Sequence, residues 1–238
     1  MKTILPFFGV ENMKKAKDCI DVGVRTNNLE AMLEFWTTEV GLPYNELLKI
    51  GGGVHQHRLA LKGSIFKLNH ARSLLPENTP TGYRELLIAS DVSEITPLTD
   101  PDGNKVTLVP VGLHDITNIG MKMVVRSLDD ARRFFTKSVQ AEPLSNTSFR
   151  WGTTVFLLEE DKRAPIGGGM QGAGYRYMTV QVFKVDNEHA EAVERGALEG
   201  SAPVTLGSTA RISFITDPDN NWIEISQRKS LTGDLSAE

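Results

Sequence analysis

Polar and apolar residues alternate along Asp21-Val-Gly-Val-Arg-Thr26, the period of a strand with one buried face. Asn27-Asn28 then offers a helix cap, and Leu29, Met32, Leu33 and Trp36 recur at helical spacing until Gly41-Leu-Pro43 stops the helix. Val54–Leu61 and Ser64–His70 read as two strands joined at Lys62-Gly63, a hairpin-like turn. A similar order returns farther on: Gly120–Val125 as a strand, Ser127 as a cap, a helix carrying Leu128, Ala131 and Phe135, and Thr154–Leu158 as a strand. Met178–Val182 as a strand, Glu188–Arg195 as a helix, and a hairpin of Ala210–Ile215 with Trp222–Ser226 complete the pattern. Strand, helix and then several strands is an α+β layout rather than an alternating βαβ one.

Three pairs of segments match in the same order in the two halves. Leu29-Glu-Ala-Met-Leu-Glu-Phe-Trp36 answers Leu128-Asp-Asp-Ala-Arg-Arg-Phe-Phe135, and Gly82-Tyr-Arg-Glu85 answers Gly174-Tyr-Arg-Tyr177. Asp100-Pro-Asp-Gly-Asn104 answers Asp217-Pro-Asp-Asn-Asn221. Three matches in register are a duplication. The boundary falls near Val111–Thr117, dividing the chain into 1–112, with a short leader, and 113–238.

On these segments, and on the ending Trp222-Ile-Glu-Ile, the sequence resembles the vicinal oxygen chelate superfamily of glyoxalases, extradiol dioxygenases and bleomycin resistance proteins. The resemblance runs from about Cys19 to Arg228. It implies tandem βαβββ modules forming cup-shaped mixed sheets with helices outside, the modules starting near Asp21, Glu85, Gly120 and Tyr177. Between Glu85 and Asp100 there is no room for a helix and two strands, so the second module is truncated. The leader Thr3–Lys17 is expected to lie across the gap. Two pairings are open: module one with module two, or module one with module four, which would bring Asp21 to Glu224. Each half is expected to be a glyoxalase-like domain.

The resemblance also implies metal ligands on the first and last strands of a module. The first-strand positions hold Asp21, Glu85, Gly120 and Tyr177; the last-strand ones hold Lys67, Thr107, a leucine near Leu157, and Glu224. Only Glu224 has the usual ligand type in its usual place. Asp21 and Glu85 suit a hard ion such as Mg or Mn, whereas a His/His/Glu set for Fe or Zn is absent. His55 and His57, two apart on a strand, are a further candidate metal pair.

If Lys62-Gly63 is a two-residue turn, Arg58 lies opposite Lys67 and Gln56 opposite Asn69 on one polar face. Leu59, Leu61, Phe66 and Leu68 then face the helix, with His55 and His57 on that side; a one-residue slip would turn the histidines into the cup. The expected site is therefore an N-terminal, carboxylate-rich cup of Asp21, Arg58, Lys67, Asn69 and Glu85. Its carboxylates would act as bases or metal ligands, with Lys67 and Arg58 stabilising an oxyanion and Gln56 and Asn69 binding substrate. In the second half Tyr177, Gln181 and Glu224 share the inward face with Trp222 nearby; Glu224 reads either as a hydrogen-bonded residue of a degenerate cup or, with Tyr177, as an acid/base pair. Gly51-Gly-Gly53 and Gly167–Gly174 read as mobile loops, the longer one over the cup, and His189 as solvated.

Composition narrows the classes. A chain of 238 residues, 40% hydrophobic and 24% charged, has the balance of a globular protein. A net charge of -4 with no basic run argues against nucleic acid, and no apolar stretch approaches the ~20 residues of a membrane span. Cys19 alone gives no disulfide framework and fits the reducing cytoplasm. The expectation is an enzyme of lyase, isomerase or dioxygenase type acting on a small oxygenated molecule, with a divalent metal as an option and a homodimer compatible. The alternative is a protein that binds or sequesters a small molecule without converting it.

Overall fold

The computed structural model describes residues 12–77 and 80–236. Module one comprises β1 (Asp21–Thr26), α1 (Leu29–Glu34, running on as a wider π turn through Phe35–Glu39), β2 (Tyr44–Lys49), β3 (Val54–Leu61) and β4 (Ser64–Ala71). Module two is β5 (Tyr83–Ser90), β6 (Thr96–Thr99) and β7 (Lys105–Pro110), with no helix in residues 91–95. Module three is β8 (Ile119–Val125), α2 (Leu128–Arg133, continued by Phe134–Ser138), β9 (Glu142–Pro143), β10 (Ser148–Trp151) and β11 (Thr154–Glu160). Module four is β12 (Gly174–Gln181), α3 (Val185–Glu194), β13 (Leu198–Leu206), β14 (Ala210–Thr216) and β15 (Trp222–Arg228), followed by α4 (Lys229–Thr232).

The strands form two mixed sheets. The larger runs β13-β14-β15-β12-β1-β4-β3-β2 and the smaller β6-β7-β5-β8-β11-β10-β9. Each has an antiparallel seam, β1 against β12 and β5 against β8. Module one therefore pairs with module four, and the truncated module two with module three. Every sheet draws strands from both sequence halves.

Local chemistry explains the elements. Lys62 and Gly63 both have positive φ, 47° and 84°, the backbone of a tight hairpin turn. That turn sets the β3–β4 register as read from the sequence, with Arg58 opposite Lys67 and Gln56 opposite Asn69. Ser127 caps α2 by accepting from the Asp130 amide at 3.2 Å. Asn28 makes no such bond at α1; the Thr26 hydroxyl accepts from the Asn28 amide instead. The two Asp-Pro-Asp segments are turns entering β7 and β15. Asp100 Oδ1 accepts from the Asn104 amide at 2.8 Å, and Asp217 Oδ1 from the Asn221 amide at 2.8 Å. Gly103 and Asn220 take the positive φ at the same place in each.

The outer faces of both sheets share one core, including Val22, Phe66 and Leu68 from the larger and Leu86, Val106 and Met121 from the smaller. Trp36 of the α1 extension stacks on Phe66 at 3.9 Å and donates to Asp100 at 3.3 Å, tying module one to module two. Two expectations are corrected here. His189 is buried, with Nε2 3.1 Å from Glu199 Oε2, because α3 starts at Val185 and lies against β13 and β14. Of the leader, residues 1–11 lie outside the described residues. Its described part bridges Lys15 to Val182 at the end of β12, so it meets module four rather than the gap in module two.

Candidate functional site

The inner face of the larger sheet encloses a cavity of about 680 Å³. Strand alternation sends Lys67 and Asn69 from β4, Gln56 and Arg58 from β3, Tyr177 and Gln181 from β12, and Glu224 from β15 to its lining. Seven sequence-predicted residues thus meet in one place, drawn from both halves. At the floor, Lys67 is 3% exposed and its Nζ lies 2.6 Å from Glu224 Oε2. It also donates to the Thr179 hydroxyl at 2.7 Å, and that hydroxyl donates to the same Glu224 oxygen at 2.6 Å. Burial pulls the Lys67 pKa below its ordinary value, a drop that Glu224 and Asp21 partly oppose.

Asp21 lies just beneath this floor, fully buried, and does not line the cavity. Lys17 Nζ and the Ile65 amide donate to Oδ1 at 2.6 and 2.9 Å, and Gln181 Nε2 donates to Oδ2 at 3.1 Å. Burial raises its pKa, but Lys67, Lys17 and these hydrogen bonds more than offset that and hold it below the usual carboxylate range. The Oε1 oxygen of the same Gln181 amide is buried without a partner. Tyr177 belongs to a separate network: Asn69 Nδ2 and Gln56 Nε2 donate to its hydroxyl at 3.1 and 3.3 Å, and Gln56 accepts from Arg58 at 3.1 Å. Burial, with the Glu224 charge adding to it, pushes the phenol pKa far up, so it stays protonated. Glu224 bonds Lys67 and Thr179 rather than Tyr177, the hydrogen-bonded one of its two sequence readings.

Glu85 is the main correction. It lies in the smaller sheet, where Oε1 accepts from Thr107 at 2.5 Å and Oε2 from Lys122 at 2.8 Å. The pairing of module one with module four removes it from the cup of Asp21. His55 and His57 belong to the opposite face of β3, as the unslipped register requires; His57 Nδ1 is 3.2 Å from Tyr44 Oη. Burial and the neighbouring His70 and His55 lower the His57 pKa. Trp222 does not line the cavity: its Nε1 donates to Gly168 O at 3.0 Å, packing it under the glycine-rich loop. That loop reaches the cavity through Met170, whose carbonyl accepts from Arg25 at 2.9 Å.

Residues the sequence reading passed over complete the site. Arg25 and Arg228 continue the alternations Asp21-Gly23 and Glu224-Ser226 by one step, and Thr179 sits between Tyr177 and Gln181, so period two alone would have found all three. Ile212 and Phe214 of β14 add an apolar wall. Among the described residues, the cavity lining has five cationic side chains, Arg25, Lys49, Arg58, Lys67 and Arg228, against one carboxylate, Glu224.

The metal ligands implied by the resemblance can be tested on these donors. In this cup the four positions hold Asp21, Lys67, Tyr177 and Glu224. Lys67 is itself a cation seated on Glu224, Asp21 is neutralised by Lys17, and Tyr177 is a neutral phenol. A divalent ion needs several free oxygen or nitrogen ligands, and this set does not fit one. In the smaller sheet Glu85 is held by Lys122, and the other three positions are Thr107, Gly120 and Leu157. No group of three or more His, Cys, Asp or Glu among the described residues is arranged to hold a metal ion. Nor is any helix among them long and apolar enough to cross a membrane.

Paired βαβββ modules curling round a pocket define a cup-forming α+β protein. Residues 117–225 match the profile of the Glyoxalase/Bleomycin resistance protein/Dioxygenase superfamily. Among solved structures, glyoxalase I from Zea mays superposes with a TM-score of 0.70 at 14% identity, over 88% of this chain and 92% of that one. A proposed dioxygenase from Bacillus subtilis gives 0.62 at 10% identity, over 95% and 92%. No curated protein matches the sequence significantly. Residues 117–225 thus match that superfamily, and the chain over most of its length shares the fold of glyoxalase I.

Proposed function

We propose that the protein binds a small organic anion in the cup between modules one and four, without a metal ion. The observation that carries this reading is the lining of five cations against one carboxylate. The unpartnered Gln181 amide oxygen supports a ligand that also carries a hydroxyl or amine donor. A volume of about 680 Å³ suits a molecule of drug-like size or smaller.

The test is binding by the full chain, dialysed against a chelator, measured by calorimetry with organic anions and their neutral analogues. Saturable, salt-sensitive binding of the anions without added metal is expected. A requirement for Mg, Mn, Fe or Zn, or equal binding of neutral analogues, overturns the reading.

A catalytic version rests on Glu224, the only carboxylate among the described residues lining the cavity, whose one oxygen takes Lys67 and Thr179. In that version its other oxygen would accept a proton from a bound molecule. Ligand recovered chemically changed favours that version; ligand recovered intact favours binding alone.

A further inference from the structure

Arg58 of β3 and Arg228 of β15 come from strands at opposite sides of the larger sheet, yet both reach one carboxylate. Glu46 Oε1 accepts from Arg228 Nη2 at 2.8 Å and lies 3.1 Å from Arg58 Nε. The two contacts are unequal, since Arg58 Nε is buried and out of line for a hydrogen bond. Both guanidinium groups line the cavity, whereas Glu46 does not. The arginine side chains are 7% and 15% exposed, and the Glu46 side chain is 38% exposed. Glu46 also stands on an edge strand, at the point where the β2–β3 register shifts.

A buried and a half-buried cation facing the cavity thus share one oxygen of a solvent-facing side chain, and although Arg58 also donates to Gln56 and Arg228 to Ser230, part of their donor capacity is unused. A guanidinium pair matches a carboxylate best when both oxygens are engaged in line. We propose that Arg58 and Arg228 form a carboxylate subsite and that Glu46 is a tethered placeholder, which the carboxylate of a bound ligand displaces. This rests on the reading of the cup as an anion site and adds the ligand class, a monocarboxylate with an apolar body lying toward Ile212 and Phe214. The glutamate keeps the pair charge-balanced while the cup is open, and it sets the affinity by competing for the same donors.

The experiment measures binding of hexanoate, hexanamide and inorganic phosphate to the wild-type chain and to Glu46→Gln and Glu46→Ala, with folding checked by circular dichroism. Hexanoate is expected to bind both variants at least fivefold more tightly than wild type, and Arg228→Gln at least tenfold more weakly. Hexanamide should show neither change. Two variants of different size separate loss of charge from loss of packing. Equal hexanoate affinity in wild type and both Glu46 variants overturns the placeholder while leaving the anion site standing. Tighter binding of phosphate than of hexanoate overturns the carboxylate assignment, and failure of every anion to bind overturns both readings.

Discussion

Replacing Lys67 by methionine tests the floor of the cup most directly. The change keeps much of the volume of the lysine stem but removes the ammonium that lies 2.6 Å from Glu224 and 2.7 Å from Thr179. Both partners are nearly dry, with side chains 4% and 12% exposed, so Glu224 is left as a poorly solvated charge. Breaking a buried pair on one side costs about 3–5 kcal/mol. For a chain of this length that lowers Tm by roughly 6–20 °C. The double variant Lys67→Met, Glu224→Leu removes both charges and should recover most of the loss, since buried pairs seldom outperform apolar replacements. Urea unfolding of the four proteins gives the coupling. The pH dependence adds a second readout. Because burial lowers the Lys67 pKa in the folded state, the unfolded chain binds more protons between that lowered value and about 10.5. Stability from this group therefore rises with pH across that window, and the rise should vanish in Lys67→Met. A single-variant loss under about 1 kcal/mol would show that water reaches the pair, and the argument from burial would fall.

Three further outcomes follow from the geometry. Gly23→Ala places a Cβ 2.5 Å from Tyr177 Cζ, so the ring must shift from its Asn69 and Gln56 partners; a loss of about 1–3 kcal/mol in urea unfolding is expected. Asp217 is pushed up to about 7 by burial, against the hydrogen bonds from Asn221. The folded state then holds a proton the unfolded state has lost, so stability should fall by up to roughly 4 kcal/mol from pH 4 to pH 7, and a flat wild-type profile, or an equal fall in Asp217→Asn, would exclude it. Trp222→Phe removes the bond to Gly168 O and should speed hydrogen exchange in residues 167–173 relative to β12; unchanged exchange would mean that the loop is held elsewhere, as by Arg25 on Met170.

The fold was legible wherever local chemistry was unambiguous. A turn that demands two positive φ values, flanked by clean alternation, set the β3–β4 register to the residue. The missing helix of module two could be counted from the 14 residues between Glu85 and Asp100. Two strands that the pattern did not announce lie at the edges of the larger sheet: β13 contains Gly200 and Pro203, and β2 is exposed along much of its length, so neither carries an alternating buried face. The partner of module one was beyond the pattern altogether. The β1–β12 seam joins residues about 150 positions apart, and no local preference of Asp21–Thr26 selects Gly174–Gln181 over Tyr83–Ser90.

That single unreadable pairing also reversed the electrostatics of the site. With Glu85 in the cup and Lys17 unplaced, the sequence suggested a carboxylate-rich concavity suited to a base or a metal. Folding instead gives each candidate carboxylate a cation of the chain: Asp21 takes Lys17, Glu85 takes Lys122, and Glu224 takes Lys67. Glu46, outside the lining, is spread over Arg58 and Arg228. Such pairing follows from desolvation, because a carboxylate this buried stays ionised only beside a compensating charge. Cations are then in excess along the cavity wall, and among the described residues Arg25 has no carboxylate partner there, its side chain donating to the Met170 carbonyl. A concavity whose acids are already neutralised and whose bases are left over attracts negative charge from outside. The same pairing that removes the donors for a metal ion is therefore what prepares the cup for an anion.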